Sequence, residues 1–135
     1  MDPTPIVRLI VRNDAGRVLI LRRASTGHAH GAWCLPGGKV DYGEIVEAAA
    51  ARELREETAL GVRDLRFLFY QDSLPTGPGE MHGINLYFEG TAVGTVALTP
   101  EASAYAWIGP ADLDRYALVF RNDEGLRRYW AAASR

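Results

Sequence analysis

Three glutamates fall within five positions of the stretch ARELREETALGV, residues 51–62: Glu53, Glu56 and Glu57. Carboxylates gathered this tightly do one of two things. They form a solvated acidic face, or they hold a cation, and hard oxygen donors of this kind suit Mg²⁺ or Mn²⁺. The surrounding segment EIVEAAAARELREET contains neither Gly nor Pro and is rich in Ala, Glu, Leu and Arg, which predicts a helix of about four turns. Stepping about 100° per residue around that helix puts all three glutamates in the sector of Val46, Ala49, Ala50 and Leu54. Arg55, Ala48 and Ala51 lie opposite, with Arg52 on the flank. An apolar sector turns toward a sheet, so the carboxylates are carried inward with it. Burying a carboxylate without a partner costs several kcal/mol, and its like-charged neighbours raise its pKa. Arg52 alone does not neutralise three acids. A divalent cation does, although a blurred, Ala-rich apolar face leaves the solvated reading open.

The elements that must position this helix follow from the rest of the chain. PIVRLIVRNDAGRVLILRR predicts two strands, Ile6 to Arg12 and Arg17 to Arg23, around turn formers Asn13, Asp14 and Gly16. A Gly-rich loop follows, with a short strand near Trp33 to Leu35 and a tight turn at Gly37 and Gly38. After the helix come VRDLRFLFYQD, MHGINLYFEGTAV and SAYAWIG as strands, PADLDRY as a short helix, and NDEGLRRYWAAA as a last helix capped by Asn122 or Asp123. The order β-β-loop-α-β-β-β-α, with no repeat or linker, implies an α/β protein with a mixed sheet under helices.

Composition narrows the partners. The 135 residues carry a net charge of −2, which supplies no basic field for gripping a polymeric nucleic acid. Cys34 is the one cysteine, so an internal disulfide and a Cys-based zinc site are both excluded. Arg8 and Arg12 interrupt the first apolar run, which is neither a signal peptide nor a membrane span, so a cytoplasmic enzyme or binding domain is expected.

From Gly38 the chain reads GKVDYGEIVEAAAARELREETAL, preceded by WCLPG. This resembles the Nudix box: Gly, five residues, Glu, seven residues, Arg-Glu, an aliphatic, any residue, Glu-Glu, any residue, Gly, an aliphatic. Gly38, Glu44, Arg52, Glu53, Leu54, Glu56, Glu57 and Leu60 match at the right spacing. Ala59 stands where the family has glycine at the helix end; Gly61 is expected to take over the turn.

The resemblance implies a single Nudix hydrolase domain over residues 1–135, an α/β/α sandwich with a mixed central sheet and the box as loop-helix-loop. It implies metal-dependent water attack on phosphorus in a nucleoside diphosphate linked to another moiety, with a nucleoside triphosphate or an ADP-ribose-type substrate. The metal ligands would be the Gly38 carbonyl, Glu53, Glu56 and Glu57, with Mg²⁺ or Mn²⁺ as cofactor. Glu53, Glu56 and Arg52 are the catalytic set, Glu53 the first candidate for general base, and Glu80 and Glu101 the others. Glu44 pairs with Arg52 in support, Gly37 lets backbone approach the ion, and Arg23 contacts a substrate phosphate.

The substrate is less legible. Chain size favours a triphosphate, while Pro75, fifteen residues past the box, is a feature of ADP-ribose-cleaving members. A non-catalytic nucleotide sensor of the same fold is the alternative, and would be expected to lose box glutamates. A third reading has the acidic helix face dock a basic partner. Trp33, Tyr70, Tyr87 and Phe88 are expected in the core. His28 and His30 resemble a ligand pair without a third donor, and His82 is a loop residue. A homodimer through a sheet edge or YWAAA is compatible with the sequence.

Overall fold

The computed structural model describes residues 2–24 and 31–134. The His28–His30 pair lies outside them. Seven strands form one mixed sheet: β1 (Thr4–Arg12), β2 (Val18–Arg23), β3 (Trp33–Cys34), β4 (Gly37–Lys39), β5 (Gly61–Ser73), β6 (Gly83–Val93) and β7 (Ala102–Ile108). Helix α1 spans Val46–Thr58 and α2 Asn122–Ala133, with a 3₁₀ helix at Pro110–Arg115. The strand path is β3-β2-β1-β6-β5, with β4 on β1 and β7 on β2.

The Asn13 side chain builds the β1–β2 turn by accepting from the amides of Ala15 and Arg17. Beyond this turn the two strands separate. Only Arg12 and Val18 keep β1–β2 register, while Ile6, Val7 and Arg8 pair with β4 instead. β1 therefore divides one edge between two partners. Its other edge runs parallel to β6 through Thr4–Arg12, the long crossover between them carrying α1 and β5.

Alternation along β1 sorts the core into two layers. Val7, Leu9 and Val11 point toward α1 and meet Ala49, Ala50 and Leu54. Ile10 points the other way, with Val18, Ile20 and Tyr87, toward Leu126 and Tyr129 of α2. Leu54 has no exposed surface, and its burial contributes about 2 kcal/mol. The result is the expected α/β/α arrangement.

Four local expectations are corrected. α1 begins at Val46 rather than at Glu44, because Gly43 at φ 80° and the Asp41–Glu44 turn end the loop first. Gly37 and Gly38 form an edge strand rather than a tight turn. Asn122 does not cap α2; its side chain accepts from the Leu35 amide and donates to Tyr87 Oη, while Arg121 stands at the cap. Tyr70 is 61% exposed, because β5 is an edge strand with an uncovered outer face, whereas Tyr87 and Phe88 are buried as expected. Trp33 packs edge-on to Tyr116 at the margin of the α2 layer.

Candidate active site

β4 and α1 are pressed together at two glycines. A Cβ on Gly38 would stand 2.5 Å from the Glu53 carboxyl group, and one on Gly37 would run into the Val7 carbonyl oxygen. Glycine is required here by crowding. Absence of side chains on β4 leaves a cradle in which the Glu53 carboxylate lies against backbone. One turn later Glu57 Oε1 accepts from the Gly37 amide at 2.8 Å. Burial pushes the Glu57 carboxyl up to about 8 despite that hydrogen bond, and the charges of Glu53 and Glu101 add to the shift. Burial also raises Glu53, against the pull of Arg52.

Arg52 is the organiser of the acidic face. Its Nε and Nη2 donate to the two Glu44 oxygens at 2.6 and 2.9 Å, a forked pair that ties the loop to the helix. Nη1 donates to Glu53 at 3.0 Å and to Glu56 at 3.1 Å, and Nη2 also reaches the Lys39 carbonyl. Hydrogen bonds from Arg52 hold Glu44 down at about 2, and Glu44 in turn raises Arg52. One cation thus touches three carboxylates directly, with Asp41 at 3.4 Å, while Glu57 receives none of it.

Of the three glutamates expected inward, Glu53 and Glu57 are partly buried and Glu56 is not. Its side chain is 58% exposed and turned to Arg52, as its place at the rim of the helical sector dictates. Among the described residues, no three acidic, His or Cys groups converge into a ready-made cage. The donor set nevertheless suits a hard divalent ion. It offers oxygen donors, a half-buried carboxylate at Glu57 with no cationic partner within ion-pair distance among the described residues, and a side-chain-free strand beside it.

The other expected residues separate. Arg23 and Glu101 join Glu57, Cys34 and Leu21 around a cavity of about 340 Å³. The Glu101 charge is felt at both Glu53 and Glu57. Glu80 lies elsewhere, on the wall of a second cavity of about 660 Å³, where it accepts from Thr76. Pro75 is in the loop beside that cavity and is not among its lining residues. His82 lends its backbone carbonyl to Thr4.

Sequence reasoning missed the second cavity. Arg8, Asn85, Phe120 and Arg121 line it, and Arg23 lines both. The signal was an arginine at the α2-facing alternate position of β1, between Ile6 and Ile10, where an aliphatic residue belongs.

Comparison with known proteins places this geometry. The NUDIX domain model matches residues 2–129. Nucleoside triphosphatase NudI of Escherichia coli and of Shigella flexneri is 32% identical over 141 aligned positions, covering 94% of this chain and 96% of the relative. Among solved structures, the MutT protein of Methanosarcina mazei Go1 superposes with a TM-score of 0.84 at 26% identity, over 98% of this chain and 96% of that one. The NUDIX domain of Shewanella oneidensis NrtR, complexed with ADP ribose, gives 0.82 at 18% identity, over 98% and 90%; at that identity it shares the fold.

Proposed function

The chain belongs to the Nudix family and is a Nudix pyrophosphohydrolase, and from that premise we propose that it cuts a nucleoside triphosphate to monophosphate and pyrophosphate with Mg²⁺ or Mn²⁺. In this reading residues 1–135 act as one Nudix hydrolase domain. The observation that carries it is the acidic face itself: Glu53 against the bare backbone of Gly38, and Glu57 half-buried on the Gly37 amide with its proton held to about pH 8. A carboxylate so placed ionises at neutral pH only if a cation compensates it. Glu53, Glu56, Glu57 and the Gly38 carbonyl would hold that cation. When bound, a divalent ion screens the polyphosphate charge and makes a bound water more acidic.

The remaining roles fall to the chain. Glu53 is the first candidate to accept the proton of the water that attacks phosphorus. Glu101 is the second, favoured by its place beside Glu57 around the smaller cavity. Arg52 and Glu44 position the ligands through their forked pair, and Gly37 orients Glu57. Arg23, on the wall shared by both cavities, is suited to a phosphate oxygen. Preference for a triphosphate over an ADP-ribose-type substrate is supported by the NudI relatives, which match along nearly their whole length.

The test is turnover of a panel of nucleoside triphosphates, ADP-ribose, dinucleoside polyphosphates and nucleotide sugars, with Mg²⁺, with Mn²⁺ and with chelator. Metal-dependent release of pyrophosphate from a triphosphate is expected. ADP-ribose as the best substrate would overturn the substrate assignment. Tight, metal-independent binding without any turnover would replace the enzyme reading with a nucleotide sensor.

A further inference from the structure

The larger cavity is lined by apolar groups that suit a flat ring, among them Ile6, Leu74, Met81 and Leu118, and at its depth by guanidinium groups. Arg8 is 5% exposed, and its Nε donates to Asn85 Oδ1 at 3.3 Å. Asn85 is wholly buried, and both donors of its amide nitrogen are spent, on Gln71 and on the Phe120 carbonyl. Among the described residues, the buried Arg23 Nε has no hydrogen-bond partner. Both guanidinium groups lie over the Phe120 ring, at 4.7 and 5.0 Å from its centroid. Phe120 and Arg121 hold left-handed backbone, at φ 61° and 59°, a cost of about 1 kcal/mol or more each that places the ring there.

Among the described residues, neither Arg8 nor Arg23 forms an ion pair. Glu57, whose charge reaches Arg8, is committed to the proposed cation site. The acids at the cavity wall are engaged as well: Asp123 by Arg127 at 3.1 Å, and Glu80 by Thr76. Guanidinium donates hydrogen bonds and accepts none. At Arg8 and Arg23, the polar groups offered to a ligand are therefore donors.

We propose that this cavity takes the nucleobase of the substrate and that Arg8 makes it specific for bases with an oxo edge, such as guanine, hypoxanthine or uracil. This rests on the triphosphate reading above and adds the base to it. A guanidinium matches the paired acceptors O6 and N7 of an oxopurine and the O4 of uracil. Adenine and cytosine put an amino group at the same place, and two donors meeting in a buried site leave a desolvated charge unmatched. Arg8 is thus a specificity-determining residue: it donates to Asn85 and lies over Phe120, and among the described residues no carboxylate pairs with it.

Two substrate pairs isolate the one exchanged group: ITP against ATP, and UTP against CTP. The wild-type protein is expected to favour each oxo member by about tenfold or more in kcat/KM. Arg8→Met, close in length and uncharged, is expected to collapse the preference to within about threefold in each pair. Equal or better use of ATP and CTP by the wild type overturns the proposal, as does an Arg8→Met loss that is uniform over all four. Calorimetric titration of metal-free wild-type protein with IMP, AMP, UMP and CMP tests the same preference with no turnover. Oxo selectivity in binding without hydrolysis would sink the enzyme reading and keep this one, while hydrolysis without selectivity would do the reverse. Should Arg8→Met fail to fold, the wild-type pairs decide alone.

Discussion

Arg52 and Arg8 are both arginines set among partly buried groups, and their surroundings are opposite. Arg52 gives hydrogen bonds to Glu44, Glu53 and Glu56 and stands near Asp41, so its region carries more negative charge than it can neutralise. Arg8 is more deeply buried, donates to one amide oxygen, lies over the Phe120 ring and, among the described residues, forms no ion pair. Each region is incomplete in the direction of what it would bind. A cation would balance the acidic face, and an acceptor would match the donors of Arg8 and Arg23. In the proposed reading a metal-bound nucleotide would supply both at once, with its phosphates where Arg23 lines the two cavities. The excess charge that would be a liability in either region alone is a statement about the ligand.

The strongest way to break the contrast is to remove the acidic excess. Glu53→Gln and Glu57→Gln are each expected to lower kcat/KM about a thousandfold, the several kcal/mol of transition-state stabilisation that a correctly held ion contributes. Steady-state kinetics at saturating Mg²⁺ measures this, with circular dichroism to confirm the fold. Losses below tenfold in both variants would mean that these carboxylates hold nothing, and the acidic face would return to being a solvated surface.

The same excess has a signature in the metal-free protein. Glu57 keeps its proton to about pH 8 in the fold, against an ordinary value of 4.5. The folded state therefore binds the proton more tightly than the unfolded one. Its contribution falls as pH rises from about 4.5 and levels off above about 8. Wild-type protein in chelator is expected to lose up to about 3 kcal/mol relative to Glu57→Gln across that window. Urea unfolding at pH 5, 6.5 and 8 reads the difference. Mg²⁺ at pH 8 is expected to return the loss in the wild type alone. A pH-independent gap would show that Glu57 is already compensated.

A milder perturbation sharpens the comparison by loosening the acidic face without removing a ligand. Arg52→Gln and Glu44→Gln each cut the forked pair that ties the loop to α1. Losing such a supporting partner is expected to weaken metal affinity about ten- to a hundredfold. The double variant should be hardly worse than either single one, because the two side chains act as one device. Metal titration followed by intrinsic fluorescence measures the affinities. Additive losses would mean that Arg52 works mainly through Glu53 and Glu56.

The two regions also differ in how far the sequence disclosed them. The acidic face was legible because its residues lie close together in the chain, so helical periodicity alone brings Glu53 and Glu57 to one side. Spacing also sufficed to pair Glu44 with Arg52. It did not place Glu56, which sits at the rim of the buried sector and turns outward. Nor did it show that Gly37 and Gly38 form a strand, since β4 exists only through its pairing with β1. The arginine pocket was illegible for that reason throughout. Arg8, Asn85 and Phe120 come from β1, β6 and the segment before α2, and only the parallel β1–β6 register and the left-handed backbone at Phe120 assemble them. Asn122 misled in the same way: local rules make it a helix cap, and a distant amide at Leu35 claims its side chain.

The smallest expected effect separates charge from scaffold. Ala59 itself takes the left-handed cap of α1, at φ 65° and ψ 2°, and its amide closes on the Arg55 carbonyl. The turn is not passed on to Gly61, which begins β5. Ala59 has no freedom to relax, because Thr58 is anchored on either side of it. The Thr58 hydroxyl donates to the Leu54 carbonyl and accepts from the Leu60 amide, and the Thr58 carbonyl accepts from Ala97. Left-handed alanine costs about 1–2 kcal/mol, while glycine costs some of that back through the freer unfolded chain. Ala59→Gly is therefore expected to stabilise the protein by about 0.5–1 kcal/mol in urea unfolding. Metal affinity and base preference should stay as they are, since Ala59 touches neither charged region. A change in metal affinity would show that the end of α1 strains Glu57, two residues before Ala59, and that the acidic face depends on the helix being held slightly out of its preferred geometry.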